Sequence, residues 1–288
     1  MLRGLDHIVH AVRDLDAAAD IYERLGFTVG ARNRHPWGTH NRIVQLPGAF
    51  VELLNVAEPD KIPAPRADVF SFGAFNRDFL VGGQGFSMLA LESRDAAADA
   101  ETFQRAGIGA FAPFRFEREG RRPDAAPVQL GFSLAFARDP LAPAAGFFVC
   151  QQHFPENFWN PAFQAHANTA SAIAGVVFVA ENPTDHHIFF SAFTGRREIQ
   201  ATSSGITVET PRGAIQVMEP GAYRLHYGME SPDVARGLRI AALRFSVRDL
   251  AAARRIIESA GIAAAERMGR IVVGPEAALG ATLIFEGA

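Results

Sequence analysis

The stretch Leu5-Asp6-His7-Ile8-Val9-His10-Ala11-Val12-Arg13-Asp14-Leu15-Asp16-Ala17-Ala18-Ala19-Asp20-Ile21-Tyr22-Glu23-Arg24-Leu25-Gly26 decides the fold. His7 to Val12 is an apolar run of strand type. Asp14 then opens a helix, because a carboxylate there accepts hydrogen bonds from the free amides of the first turn. Ile21, Tyr22 and Leu25 fall on one face of that helix. Gly26 ends it, since glycine tolerates the left-handed conformation. The same interval, capping Asp to terminating Gly, recurs at Asp95 to Gly107 and at Asp249 to Gly261. A weaker copy runs from Asn182-Pro183-Thr184 to Gly195. Each helix follows an apolar strand, at 7–12, 86–91, 176–180 and 241–247. Three shorter strands follow each helix, at 27–29, 42–46 and 50–56 after Gly26, for instance. The last strand of each copy lies just beyond a glycine: Gly48, Gly146, Gly213 or Gly280. The unit reads β-α-β-β-β, repeated along the chain.

One such unit leaves a face of its sheet uncovered, so units must pair. The expected fold class is α+β: four βαβββ modules forming two paired, curved-sheet domains. The first pair is expected at 1–155 and the second at 170–288, joined near Trp159 to Ala170. Phe70 to Gly85, between the first two units, is longer than a hairpin needs and is expected to form a short helix or lid over the sheet.

Composition narrows the function classes. The chain has 288 residues, 48% apolar and 20% charged, enough to bury roughly 75% of its extended surface. A net charge of −3 with no basic stripe argues against nucleic acid as a partner. No apolar run approaches the ~18 residues of a membrane span. A single cysteine, Cys150, makes no intrachain disulfide and suits a reducing compartment. The start, Met1-Leu2-Arg3-Gly4-Leu5, lacks the apolar core of a secretory signal, so a cytoplasmic location is expected. Lys61 is the sole lysine and sits in a Pro-rich stretch, which disfavours Schiff-base chemistry. No nucleophile elbow, P-loop or dinucleotide fingerprint is present.

Several further segments carry a family likeness. They are His35-Pro36-Trp37-Gly38-Thr39-His40-Asn41-Arg42, Phe50-Val51-Glu52-Leu53-Leu54, Arg122-Pro123-Asp124 and Phe147-Phe148-Val149-Cys150-Gln151-Gln152-His153. With the paired βαβββ unit, they resemble the vicinal oxygen chelate superfamily, and more narrowly the glyoxalase-like domain proteins of bacteria. The resemblance implies a divalent metal in the cup formed by two paired units, with one ligand on a unit's first strand and another on its last. The first-strand slots hold His7, Met88, Val176 and Ala242. The last-strand slots hold Glu52, Cys150, Val217 and Ile284. Only the first copy carries a ligand pair, His7 and Glu52. The apolar second half argues against the layout of extradiol dioxygenases, and Met88 with Cys150 argues against a full glyoxalase set. His153 is the expected third donor, provided a bulge shifts its register. A site of His7, Glu52 and His153 suits Fe(II), Mn(II), Ni(II) or Zn(II). Glu52 and His153 are also the groups expected to move a proton.

On the ligand side, His40 and Asn41 lie in a turn next to the first sheet, and Gln152 shares the face of Cys150. Arg122 and Arg115 are candidates for an anionic group. The abundant phenylalanines favour a ligand with an aromatic or aliphatic body. The leading reading is a small-molecule-binding protein that acts as a metal-dependent lyase or isomerase on vicinal oxygens. The alternative is a non-catalytic binder of the bleomycin-resistance kind. A third is a structural relative whose second half mediates dimerisation, and the family likeness implies a homodimer. Against all of these stands the plain case in which His7 is a buried neutral histidine hydrogen-bonded to Glu52. His10 is expected on the helix or surface side, and His186-His187 at a surface or interface without a matching carboxylate.

Overall fold

The computed structural model describes residues 2–64, 66–121 and 126–288. Its first sheet contains β1 (Leu5–Ala11), β2 (Asn33–Arg34), β3 (Thr39–Leu46), β4 (Ala49–Val56), β5 (Gly85–Glu92), β6 (Phe114–Arg121), β7 (Pro127–Ala137) and β8 (Gly146–Gln152). The second contains β9 (Ala170–Val179), β10 (Gln200–Thr202), β11 (Gly205–Glu209), β12 (Ala214–Met218), β13 (Arg239–Val247), β14 (Ala264–Arg267), β15 (Arg270–Val273) and β16 (Thr282–Gly287). The helices are α1 (Leu15–Arg24), α2 (Phe72–Gly82), α3 (Ala96–Arg105), α4 (Pro155–Phe158), α5 (His187–Thr194), α6 (Pro220–Tyr227) and α7 (Leu250–Ser259).

Both sheets follow one path: β2-β3-β4-β1-β5-β8-β7-β6 and β10-β11-β12-β9-β13-β16-β15-β14. Within each unit the first strand runs parallel to the last. The units join where β1 meets β5, and β9 meets β13, in antiparallel pairs. The fold is therefore the expected α+β assembly of four βαβββ units in two curved sheets.

Local chemistry explains the repeat. Asp14 accepts from the amides of Asp16 and Ala17, Asp95 from Ala98, and Asp249 from Ala252. Gly26, Gly107 and Gly261 all take positive φ. Asn182 makes no such cap, and a 3-10 turn over Pro183–His186 leads into α5 instead. Residues 27–29 are not a strand. The Thr28 amide and hydroxyl bond to His166 and the Ala165 carbonyl of the inter-sheet connection, while the Phe27 ring packs on Phe245. Those backbone groups are thus withdrawn from a sheet ladder.

The helix-bearing faces of the two sheets share one core. Ile8, Val51, Leu89 and Phe147 of the first sheet belong to the same buried cluster as Phe178, Phe190, Phe245 and Phe285 of the second half. His10 lies on this side, between the Tyr22 hydroxyl and the Leu279 carbonyl, and burial pushes its pKa down to about 4. His186 is also buried here and does find a carboxylate, Asp139 at 2.6 Å, so the expectation of an unmatched histidine fails. No helix among the described residues is long and apolar enough to cross a membrane.

The two remaining faces are concave and differ in content. In the second sheet, Tyr223 and Tyr227 of α6 fill the hollow over Val177, Val179, Ala242 and Ile284. Tyr223 donates to the Thr282 hydroxyl at 2.8 Å, and Arg244 pairs with Glu286 at 2.6 Å. Val176 and Val217, the residues in this copy's two expected ligand slots, turn into the shared core instead, and their neighbours Val177 and Met218 face the hollow. The first sheet's hollow is lined by Val9, Phe50, Leu54, Met88, Phe148 and Cys150. Over it lies α2, capped by Ser71, which is the helix expected between the first two units.

Candidate metal centre

A bulge builds the centre of the first cup. Between Leu5 and His7 the β1–β5 register slips by one residue. Two residues of β1 then oppose one of β5, which aims Asp6 and His7 at the same side. His7 Nδ1 donates to Asp6 Oδ1 at 2.5 Å, and Gln152 Nε2 donates to Asp6 Oδ2 at 3.2 Å. One donor atom each from Asp6, His7 and Cys150 lie within 4.8 Å of one another. The His7 ring is stacked on Phe50, with centroids 4.3 Å apart and planes at 12°, and meets the edge of Phe148 at 5.1 Å. With Nδ1 committed to Asp6, Nε2 is left facing Glu52.

Glu52 on β4 carries the opposite half of the centre. Its Oε2 stands 3.9 Å from His7 Nε2, and its Oε1 stands 3.9 Å from His35 Nε2. Asn41 Nδ2 donates to Oε1 at 2.5 Å. Burial pushes the Glu52 carboxyl above its ordinary range, partly offset by His7, Asn41 and Arg118. His35 is stacked on Trp37 at 4.6 Å, and its Nδ1 meets the Thr39 hydroxyl at 2.8 Å. Burial, with Arg118, His40 and His7 nearby, pushes its pKa down to about 3, so the ring is neutral. Burial likewise raises the Cys150 thiol, with Asp6 and Glu52 adding to the effect.

These side chains enclose a cavity of about 40 Å³ walled by Trp37, Phe50, Phe72, Phe116, Phe132 and Phe148. That is room for roughly three waters. Ile43, Arg118 and Phe158 also border a wider cleft of about 590 Å³, so the two hollows adjoin at these side chains.

The expected site residues divide. His7, Glu52 and Asn41 meet in the cavity, and Gln152 reaches it through Asp6. His153 does not. The β7–β8 register is regular, so His153 falls on the helix-bearing face with Gln151, and its Nε2 meets the Ser133 hydroxyl at 2.8 Å. Its expected parts as third donor and as proton carrier therefore have no geometric basis. His40 is on the opposite face of β3 from Asn41 and pairs with Glu58 at 3.0 Å. Its expected place against a ligand fails for the same reason of alternation. Arg115 is exposed and paired with Glu117, and Arg122 lies outside the described residues. Sequence reasoning passed over Asp6, His35 and Arg118 as site residues, and set Cys150 aside because a Met, Cys, His and Glu set is unusual for a lyase. A charged residue inside an otherwise apolar strand was the available signal for Asp6. His35, in the turn between β2 and β3, and Arg118, on β6, carried no signal, because which of them faces the cup depends on how the strands pair.

A family model of the glyoxalase-like domain matches residues 5–192. No curated protein matches the chain. Among solved structures, a hypothetical protein from Staphylococcus aureus aligns over the full length of both chains with TM-score 0.69 and 15% identity. A mutant of 4-hydroxymandelate synthase from Streptomyces coelicolor aligns over 99% of this chain and 92% of its own, with TM-score 0.55 and 12% identity. A xylose isomerase-like TIM barrel/4-hydroxyphenylpyruvate dioxygenase fusion protein aligns over the whole of this chain and 50% of its own, with TM-score 0.54 and 12% identity. At those identities the structural likeness speaks for the fold, and the family match spans well over half of the sequence. The chain belongs to the glyoxalase-like domain family.

Proposed function

We propose that the first cup holds a divalent metal ion between His7 and Glu52, with Cys150, which clusters with Asp6 and His7, as a further donor, and that the protein is a metal-dependent lyase or isomerase acting on a small substrate with vicinal oxygens. One observation carries this reading: Glu52 is buried with one hydrogen bond and with two imidazole nitrogens each 3.9 Å away. A buried carboxylate without a contacting cation is costly, so it needs a proton or an ion. A separation of 3.9 Å is too long for a hydrogen bond. It falls in the span of roughly 3–4 Å expected for two ligands each about 2.1 Å from a shared ion.

The donor chemistry fits. Imidazole, carboxylate and thiolate together suit Zn(II) or Fe(II) better than the harder Mn(II). Asp6 grips His7 Nδ1 as a carboxylate behind a metal-bound imidazole does, fixing the tautomer and leaving the Nε2 lone pair free. When bound, the ion would act as a Lewis acid toward substrate oxygens. The chain's own groups do the rest. Asn41 holds the Glu52 carboxyl in place, and burial raises its pKa, which favours its protonated form when no cation contacts it. Neutral His35 presents Nε2 as an acceptor beside it. The ring of aromatic walls keeps bulk water out, which strengthens every charge interaction inside.

Metal analysis of protein purified without chelator tests the reading. One equivalent of metal in the wild type, lost in His7→Ala, is expected. Metal-free protein in both preparations would favour the non-catalytic binder instead, a reading that the apolar walls of the cup also accommodate.

A further inference from the structure

Arg118 donates no hydrogen bond to the centre described above, and its surroundings are unusual for a half-buried cation. It stands on β6 opposite Leu130, with its guanidinium carbon 6.0 Å from the centroid of Phe132. Nη1 donates to Asn33 Oδ1 at 2.9 Å and to the Glu119 carbonyl at 3.3 Å. Nε is buried and has no partner. No hydrogen bond leaves Nη2 among the described residues, and no carboxylate lies within ion-pair distance of the group. Glu52, the nearest buried carboxylate to act on Arg118, is held by Asn41. The side chain borders both the inner cavity and the outer cleft, which places it at the boundary between them.

Geometry then selects the chemistry. Nη1 is used by the protein, so the unused donors are Nε–H and Nη2–H, which share one edge of the planar guanidinium. Two parallel N–H groups on one edge match the two oxygens of a carboxylate. Of the cleft's other arginines, Arg32 is committed to Asp16 at 2.7 Å, Arg121 pairs with Glu119 at 3.7 Å, and Arg34 is exposed on β2, alternating in face with the Asn33 that holds Arg118. A single half-buried guanidinium with one paired edge free suits a planar carboxylate. We propose that Arg118 is the specificity residue that binds the substrate carboxylate, so that the substrate class is a small organic monocarboxylate entering from the cleft. This rests on the reading of the first cup as a substrate site. It places the carboxylate on the cleft side of Arg118 and leaves the inner cavity to the uncharged, oxygen-bearing end.

Benzoate and benzamide are suitable probes, being nearly isosteric and lacking the vicinal oxygens that a metal would chelate. Binding is read from the fluorescence of Trp37, which lines the cavity. Wild-type protein is expected to bind benzoate about 10- to 100-fold more tightly than benzamide, the range for a charge-assisted pair. The preference should disappear in Arg118→Gln. Arg118→Lys keeps the charge but not the paired edge and should retain only part of it, which guards against a folding defect in the first variant. The wild-type preference should survive chelator treatment. Equal affinity for the two probes, no binding of benzoate, full preference in either variant, or loss of preference on chelation would each overturn the proposal. A preference that persists in protein shown to hold no metal would remove the metal reading alone and leave Arg118 as a carboxylate site.

Discussion

Glu52→Gln is expected to lower metal affinity by about 100-fold or more while leaving the metal-free protein as stable as the wild type, or more so. The two effects separate because the carboxylate is placed for binding at the expense of the fold. Glutamine keeps an oxygen for the Asn41 amide, so the hydrogen bond at Oε1 survives. It removes the charge that would pair with an ion, and also the charge whose burial pushes the carboxyl pKa up. A raised carboxyl pKa means that the folded state holds the proton more tightly than the unfolded chain. Stability of metal-free wild type should therefore rise as pH falls from neutrality toward the ordinary carboxyl range near ~4.3, and this rise should shrink in the variant. Competition against a chromophoric chelator measures the affinity, and denaturant unfolding at pH 7 and pH 5 measures the stability. Unchanged affinity, or a variant markedly less stable than the metal-free wild type, would contradict the assignment.

Phe147→Ala is expected to cost about 3–5 kcal/mol, the range for removing a fully buried phenylalanine. It should do so within a single unfolding transition. Phe147 sits on β8 with its ring toward the second half, where it meets Phe189 at 4.6 Å, Phe193 at 5.5 Å and Phe178 at 5.9 Å. Its neighbour Phe148 points the other way and touches the His7 ring. Strand β8 thus links the candidate metal centre on one face to the shared core on the other. The second half, whose own hollow is filled by Tyr223 and Tyr227, serves as the backing on which the first cup is formed. Calorimetry of the variant should show one transition at lower temperature. Two transitions, one of them at the wild-type position, would show instead that the halves fold independently.

Much of this was legible in the sequence, for identifiable reasons. Helix capping is local chemistry, so Asp14, Asp95 and Asp249 with their terminating glycines announced three units that the structure contains. His7 and Glu52 were legible as a pair because each sits at a fixed distance from such a marker. What failed was everything that depends on pairing between strands. The bulge that turns Asp6 beside His7 exists only because β1 slips against β5, and no residue of β1 alone encodes it. The same kind of slip was expected at His153 and is absent, so Cys150 and not His153 faces the cup. Residues 27–29 had the composition of a strand but were claimed by the connection between the sheets. Arg118 was hidden among six neighbouring charges on β6 and its flanks, where only the fold distinguishes the one that points inward.

The most direct measurement is the absorption spectrum of the protein loaded with Co(II), compared between wild type and Cys150→Ser. If an ion binds in the first cup on His7, Glu52 and Cys150, the wild type shows a thiolate-to-cobalt charge-transfer band in the near ultraviolet, with d–d bands of low coordination number. Cys150→Ser loses the charge-transfer band. A cobalt spectrum that is the same in both proteins, or no cobalt retained by either, would mean that the cup is not a metal centre.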